Sequence, residues 1–166
     1  MEHLAEHQRF IENYDDNADA VYRHCYFKLY DKEQATDVMQ EAFLRAWEYV
    51  VKGKKVDNLR AFVFKIANNR CIDILRKKKE SSLDALMEEG FDASLEDGKT
   101  IERNTDSGFA LRLLKKLNLS SREIMIFRYV DDLSIKEIAE IIGETENGVS
   151  VKIHRATAEL KKLFPQ

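Results

Sequence analysis

Residues 133–156 constrain the fold most strongly, because they carry the signals for two short helices separated by a tight turn. Ser134 followed three residues later by Glu137 is a capping box, which predicts the start of a helix. Gly143 suits the turn after that helix, since glycine adopts positive φ without steric cost. Thr145 can then cap a second helix. The segment is therefore predicted to be a helix-turn-helix.

The apolar residues of the same segment agree with this prediction. Ala139, Gly143 and Val149 have helix-turn-helix spacing, and a residue larger than alanine at position 139 would wedge the two helices apart. Such a pair lays its second helix in the major groove of DNA. The predicted inner faces are Ile135, Ile138, Ala139 and Ile142 in the first helix and Val149, Ile153, Ala156 and Leu160 in the second. An ordinary helical hairpin is the alternative, but the basic residues of the second helix favour DNA binding.

Composition predicts an all-α protein with two small helical domains. The chain has one proline and six glycines in 166 residues, and its 44% hydrophobic content is enough for real cores. No apolar run approaches the roughly 18 residues of a membrane span, and the N-terminus lacks a basic-then-apolar secretion signal. We therefore expect a cytoplasmic protein without a membrane span.

Residues that could support catalysis or metal binding are scattered. Cys25 and Cys71 lack a CxxC or histidine-rich context, so neither a zinc site nor a disulfide framework is expected. The four histidines are dispersed along the chain, and no P-loop or glycine-rich phosphate loop is present. The sequence therefore predicts no catalytic residues, no metal, no cofactor and no enzymatic activity.

Charge alternates in blocks along the chain. Formal net charge is −6 over residues 1–51, +8 over 52–79, −6 over 81–106 and +2 over 107–166. Blocks on this scale imply partners of opposite charge. The block 81–106 is also rich in serine, glycine and acidic residues, which is typical of a linker. We therefore predict domains at 1–80 and 107–166, joined by an acidic linker at 81–106.

The N-terminal domain is predicted to contain three or four helices, three of them at 10–30, 34–51 and 59–79, with a loop at 52–58 before the third. The third helix is basic and carries asparagine and aromatic side chains, including Phe62 and Phe64. Cations neutralise phosphates, asparagine can contact base edges, and aromatic rings stack on unpaired bases. Alternatively, the aromatic residues belong to the core and the basic face is only solvated. The residues alone leave these two interpretations equally open.

Three segments together resemble one protein family. Residues 37–47 (DVMQEAFLRAW) and 61–77 (AFVFKIANNRCIDILRK) closely resemble the two signature segments of the extracytoplasmic-function group of bacterial RNA polymerase sigma factors. The helix-turn-helix resembles the C-terminal domain of that group, including residues 127–130 before it and 153–156 within it. The resemblance covers both predicted domains in the same order.

This resemblance implies an alternative sigma factor, which binds core RNA polymerase and directs promoter recognition and transcription initiation. In such factors the helix that holds Asp37, Gln40 and Glu41 docks on a basic coiled coil of the largest polymerase subunit. We expect these three side chains to face solvent in the free protein, because Val38, Ala42 and the adjacent apolar positions occupy the opposite helix face.

The resemblance also implies two DNA contacts and one further protein partner. The third helix and loop 52–58 resemble the elements that melt the promoter −10 region and capture its single strand, with candidate contacts Lys65, Asn69, Arg70 and Arg76. The second helix of the helix-turn-helix resembles those that read the duplex −35 element, with candidate contacts Ser150, Lys152, His154 and Arg155. The acidic linker resembles the segment that threads the RNA-exit path. An anti-sigma factor is the expected inhibitory partner.

Two other classes of function are considered beside the sigma factor. A stand-alone helix-turn-helix DNA-binding transcriptional regulator would need a ligand or dimerisation module, and the charge pattern of residues 1–80 does not suit a small-molecule pocket. A helical scaffold would not explain the +8 block or the cations of the second helix-turn-helix helix. Co-purification discriminates between them, because a sigma factor accompanies core polymerase and a regulator accompanies duplex DNA.

Overall fold

The structure is a computed structural model that describes residues 1–89 and 106–164. The described residues form seven α-helices, one π-helical turn and no strand, so the protein is all-α as the sequence predicts. In chain order these elements are α1 (Glu2–Leu29), α2 (Lys32–Val51), α3 (Leu59–Glu89), α4 (Asp106–Lys116), α5 (Leu119–Met125), the π-turn (Ile126–Val130), α6 (Ile135–Ile142) and α7 (Glu146–Lys161). None of the described helices is long and apolar enough to cross a membrane.

The first three helices pack around one apolar core. Asp31 caps α2 by accepting a hydrogen bond from the backbone N–H of Gln34 at 3.0 Å, which satisfies one orphan donor of the first turn. Phe10 of α1 packs against Trp47 of α2, and the centroids of the two rings are 5.1 Å apart. Helix α1 begins eight residues earlier than predicted, and His7 holds that first part against Trp47 at 4.8 Å between ring centroids.

Helix α3 ends later than the sequence indicated. We predicted its end at Lys79, but the helix continues to Glu89, inside the segment assigned to the linker. The ten added residues contain leucine, alanine, methionine and glutamate and no glycine or proline, and these residue types sustain a helix. The next residue is Gly90. Most of the predicted linker, residues 90–105, lies outside the described residues. The predicted resemblance of the linker to a segment that threads the RNA-exit path therefore also concerns residues outside the described ones.

The helix-turn-helix has the geometry that its residues predict. Ser134 Oγ accepts from the backbone N–H of Glu137 at 3.1 Å, and the Glu137 carboxylate accepts from the backbone N–H of Ser134 at 3.1 Å, so the capping box is confirmed. Gly143 ends α6 at φ 72°, a left-handed conformation that favours glycine. Thr145 caps α7 by accepting from the backbone N–H of Gly148 at 3.0 Å. Ala139 is buried where α6 meets α7.

The two helical groups pack directly on each other. Helix α3 contacts α6, and α1 contacts the π-turn. Asn58, just before α3, donates from Nδ2 to Glu137 Oε2 at 3.2 Å. Arg60 Nη2 donates to the backbone carbonyls of Asp131 and Asp132 at 2.9 and 3.1 Å. The described residues therefore adopt a closed arrangement in which α6 lies beside the start of α3.

Candidate nucleic-acid and partner interfaces

The acidic face of α2 is the first candidate interface. Asp37 and Gln40 are exposed, as predicted, but Glu41 is only 34% exposed. Its carboxylate accepts from Arg45 Nη2 at 2.7 Å and from Arg70 Nε at 3.1 Å. The expectation that all three side chains are free in solvent is therefore wrong for Glu41, because α3 lies close enough for Arg70 to bridge the two helices.

The candidate −10 residues divide into two groups on α3. Lys65, Asn69 and Arg76 are exposed, and spacings of four and eleven residues place them on one helix face. Arg70 is half-buried and points toward α2, where it pairs with Glu41. The structure therefore brings three of the four candidates together on a polar, basic face and separates Arg70 from them.

The two aromatic residues of α3 that the sequence analysis named lie in different environments. Phe64 is fully buried, so it belongs to the core. Phe62 is half-buried, and its ring centroid lies 4.9 Å from that of Tyr49 at the end of α2. Lys54 Nζ lies 4.8 Å above the Tyr49 ring, a cation–π contact. An aromatic pair with a cation therefore flanks loop 52–58, and the sequence analysis did not single out Tyr49.

A cleft of about 910 Å³ opens between loop 52–58, the start of α3 and α6. Its basic lining residues are Arg9, Lys55, Arg60, Lys65 and Lys136, and its acidic ones are Asp57, Glu137 and Glu140. Burial acts to raise the pKa of Glu137, but hydrogen bonds from Ser134 and Asn58 and the charge of Arg60 lower it. Glu137 is therefore held as a carboxylate at the mouth of a mainly basic cleft.

The exposed face of α7 carries most of the candidate −35 residues. Ser150, His154 and Arg155 are exposed, and the fourth candidate, Lys152, is half-buried and pairs with Glu144. Val149 and Ala156 are buried on the opposite face. Helix α7 therefore presents a short polar surface, and Lys152 lies at its edge.

A buried polar cluster joins the two helical groups, and the sequence analysis missed it. The interdomain cluster consists of His24, Lys28, Asn68, Glu123 and Asp131. His24 Nδ1 lies 2.5 Å from Asp131 Oδ2, and His24 Nε2 lies 3.0 Å from Asn68 Oδ1. Lys28 Nζ donates to Asn68 Oδ1 at 2.6 Å and to Glu123 Oε2 at 3.0 Å.

Electrostatics favour the charged form of the histidine in this cluster. Burial acts to lower the pKa of His24, but the charge of Asp131 and the hydrogen bond to it outweigh that effect, and the pKa is raised. A local signal was available, since His24 lies beside Val21 and Cys25 on the apolar face of α1. Its partner Asp131 is 107 residues away, and no short-range pattern identifies such a pair.

Cysteines and possible metal ligands add no site. Cys25 and Cys71 are buried free thiols, and the hydrogen bond between them together with burial raises the pKa of Cys25. Among residues 1–89 and 106–164, no group of three or more His, Cys, Asp or Glu side chains could hold a metal ion.

Comparison with known proteins gives two family matches and close relatives. Residues 14–81 match the family described as Sigma-70 region 2, and residues 110–160 match Sigma-70, region 4. The chain is 30% identical over 164 residues to the ECF RNA polymerase sigma factor SigW of Bacillus subtilis strain 168, covering 92% of this chain and 87% of that relative. It is also 30% identical over 142 residues to the RNA polymerase sigma factor SigV of the same organism, covering 85% and 82%.

Solved structures share the fold. The sigma factor RpoE, in a co-crystal structure with the anti-sigma factor NepR from Bartonella quintana, superposes with a TM-score of 0.73 at 21% identity, covering 95% of this chain and 99% of that one. CnrH, in complex with the cytosolic domain of CnrY, gives a TM-score of 0.69 at 22% identity, covering 94% and 88%. At these identities the likeness is one of architecture.

Proposed function

This chain belongs to the extracytoplasmic-function family of RNA polymerase sigma factors, and on that premise we propose which residues bind the polymerase and which bind each promoter element. As a member of that family it binds core RNA polymerase and directs promoter recognition and transcription initiation. It works in the cytoplasm with the polymerase, which supplies all the catalytic chemistry. Residues 1–80 and 107–166 are the two functional domains, and 81–106 connects them. The observation that carries this assignment is the order of the region 2 and region 4 matches along one chain.

Core polymerase docks on the polar face of α2. Asp37 and Gln40 are exposed there, and Glu41 extends the same face one turn further. The core of the domain occupies the opposite face, so these groups are available to a basic partner surface. Charge-assisted hydrogen bonds across such an interface are stronger than those of the free surface, where water competes. Arg70 acts with this surface by holding the Glu41 carboxylate in place.

The single-stranded −10 element lies along α3 and enters the cleft beside loop 52–58. Lys65 and Arg76 neutralise phosphates, and Asn69 between them offers a donor and an acceptor to a base edge. The half-buried Phe62 and Tyr49 pair supplies an aromatic surface next to the loop, on which an unstacked base can pack. This division of roles agrees with the shared face of the three polar residues.

The duplex −35 element is read by α7. Arg155 and His154 are exposed near the middle of the helix, and Ser150 lies one turn before His154. Lys152 pairs with Glu144 in the free protein and must exchange that partner for a phosphate when DNA binds. An anti-sigma factor is the further partner that we propose, since the sigma factor RpoE, which shares the fold, was solved in a co-crystal structure with the anti-sigma factor NepR.

Two single substitutions should separate the −35 and −10 roles. Arg155→Ala removes an exposed cation from α7 and should weaken holoenzyme binding to duplex promoter DNA by about 1–3 kcal/mol, if Arg155 contacts a base. Asn69→Ala should leave duplex binding unchanged and reduce promoter opening. Binding can be measured by fluorescence anisotropy, and opening by the permanganate reactivity of unpaired thymines on linear DNA.

Each of these variants is the control for the other. Unchanged opening with Asn69→Ala would place the −10 surface elsewhere on the domain. Unchanged duplex affinity with Arg155→Ala would remove that residue from the recognition surface, even if the chain still supports initiation.

A further inference from the structure

The interdomain cluster has a composition that is costly to bury. His24 and Asp131 are at most 2% exposed, and Lys28 is 8% exposed. Buried charges are tolerated when they are paired and hydrogen-bonded, and removing one partner leaves the other uncompensated. Here each charged group has an opposite partner across the contact between the two domains. The closed arrangement is therefore what pairs these charges.

Aromatic rings from both domains fix the histidine at the centre of the cluster. The His24 ring stacks on Phe127 of the π-turn, with centroids 5.3 Å apart, and meets Phe64 of α3 edge-on at 5.7 Å. Phe127 and Phe64 are fully buried. These ring contacts hold the imidazole in the orientation that directs Nδ1 at Asp131. The contact is thus geometrically specific rather than a loose surface pairing.

Closure also covers the surface to which we assign −10 binding. Helix α6 lies against the start of α3, where Glu137 accepts from Asn58 and the backbone after the π-turn accepts from Arg60. Glu137 and Glu140 place carboxylates in the cleft that Arg60 and Lys65 line. A nucleic acid strand entering this cleft would meet those carboxylates and find Asn58 and Arg60 already engaged.

We propose that the interdomain cluster holds the free sigma factor closed, and that α6 in this closed form blocks the factor's own −10 surface. The domains must separate before single-stranded DNA can enter the cleft, and core polymerase separates them when it binds each domain at its own site. The masking half of this proposal rests on the −10 assignment above. The closure half rests only on the contacts between the domains.

Protonation of His24 makes closure depend on pH. The groups that face His24 are Asp131 after the π-turn, Asn68 and Cys71 on α3, and Cys25 and Lys28 on its own helix. The pKa of His24 is raised in the closed form, so closing is favoured while the ring is charged. The contribution of His24 to closure should therefore be present near its ordinary pKa of 6.5, and it should be lost as the pH rises through the raised value.

A matched pair of substitutions tests closure. Asp131→Asn removes the buried negative charge with little change in shape, and Asp132→Asn makes the same change one residue later at an exposed site. Asp132 has φ 54°, and asparagine tolerates that left-handed conformation. Spin labels at Glu33→Cys and Lys161→Cys, both exposed positions, report the distance between the domains by pulsed electron paramagnetic resonance, while Cys25 and Cys71 stay buried.

Asp131→Asn should lengthen and broaden the distance distribution, and Asp132→Asn should leave it unchanged. Raising the pH on the otherwise unsubstituted labelled chain should produce the same lengthening, which keeps the test valid if Asp131→Asn folds poorly. Circular dichroism monitors helicity in each sample. Distances that stay short in both Asp131→Asn and alkaline solution would overturn the proposal that this cluster closes the molecule.

Binding of a fluorescent 12-nucleotide single strand of mixed sequence tests masking on the same full-length proteins. If the open form is about one tenth of the free population, opening should raise the affinity about tenfold. Domains that separate without any gain in single-strand binding would overturn the masking half. A failure of the −10 assignment itself would instead show in the permanganate assay, where Asn69→Ala would leave opening intact.

Discussion

Core RNA polymerase should raise the affinity of this protein for duplex promoter DNA by about 10²–10⁴-fold, the range that linking two binding modules gives. The C-terminal domain has a formal net charge of only +2 and residues 1–51 have −6, so the free chain has little electrostatic attraction for a duplex. Polymerase holds both domains over one promoter and makes the second DNA contact intramolecular. Fluorescence anisotropy at physiological salt, with and without core polymerase, measures the ratio.

Core polymerase alone on the same DNA is the control, because it binds duplexes without sequence preference. Measuring binding to the promoter and to a scrambled duplex separates this non-specific binding from promoter recognition. Tight and sequence-specific binding by the free chain would contradict the sigma factor account and favour a stand-alone regulator.

The double substitution Asp37→Ala with Glu41→Ala should reduce core-polymerase affinity by at least about tenfold, which corresponds to 1.4 kcal/mol. Both groups lie on the polar face of α2, and a charge-assisted hydrogen bond in the complex is worth about 1.5–3 kcal/mol. The effect on folding should be small, since the pair between Glu41 and Arg70 is partly exposed and such pairs contribute about 0–1 kcal/mol. Affinity and the melting temperature are measured on the same preparation.

Asp15→Ala with Asp19→Ala is a matched control on the neighbouring helix. These two carboxylates are exposed and also four residues apart on α1, so the change in net charge is the same. The control should leave polymerase affinity nearly unchanged. Equal losses in both variants would mean that overall charge, rather than the α2 face, determines docking, and a large fall in melting temperature would make Glu41 structural.

Local signals in the sequence predicted the helix-turn-helix well. The capping and turn residues of this motif bond to backbone groups three or four residues away, so their geometry follows from the local sequence alone. These residues are Ser134, Glu137, Gly143 and Thr145.

The end of α3 was missed because its added residues lack a continuous apolar stripe but still have high helix propensity. In that case propensity determines the structure and periodicity does not.

Contacts between distant residues explain the rest of the differences. The helix pattern of α2 predicts that the side chain of Glu41 faces solvent without a partner. In the structure Arg70 of α3 donates a hydrogen bond to the Glu41 carboxylate. His24 and Asp131 meet only because α1 packs on the π-turn. A sequence pattern reports which face of a helix is apolar, and it does not report which polar group another helix brings to that face.

Transcription from a randomised-promoter library with purified core polymerase tests the central claim most directly. With this chain added, run-off products should be enriched in templates that share two conserved elements at a fixed spacing, one for each domain. The enrichment should disappear when the chain is omitted. Transcription that is no more selective with the chain than with core polymerase alone would contradict its assignment as a promoter-selecting sigma factor.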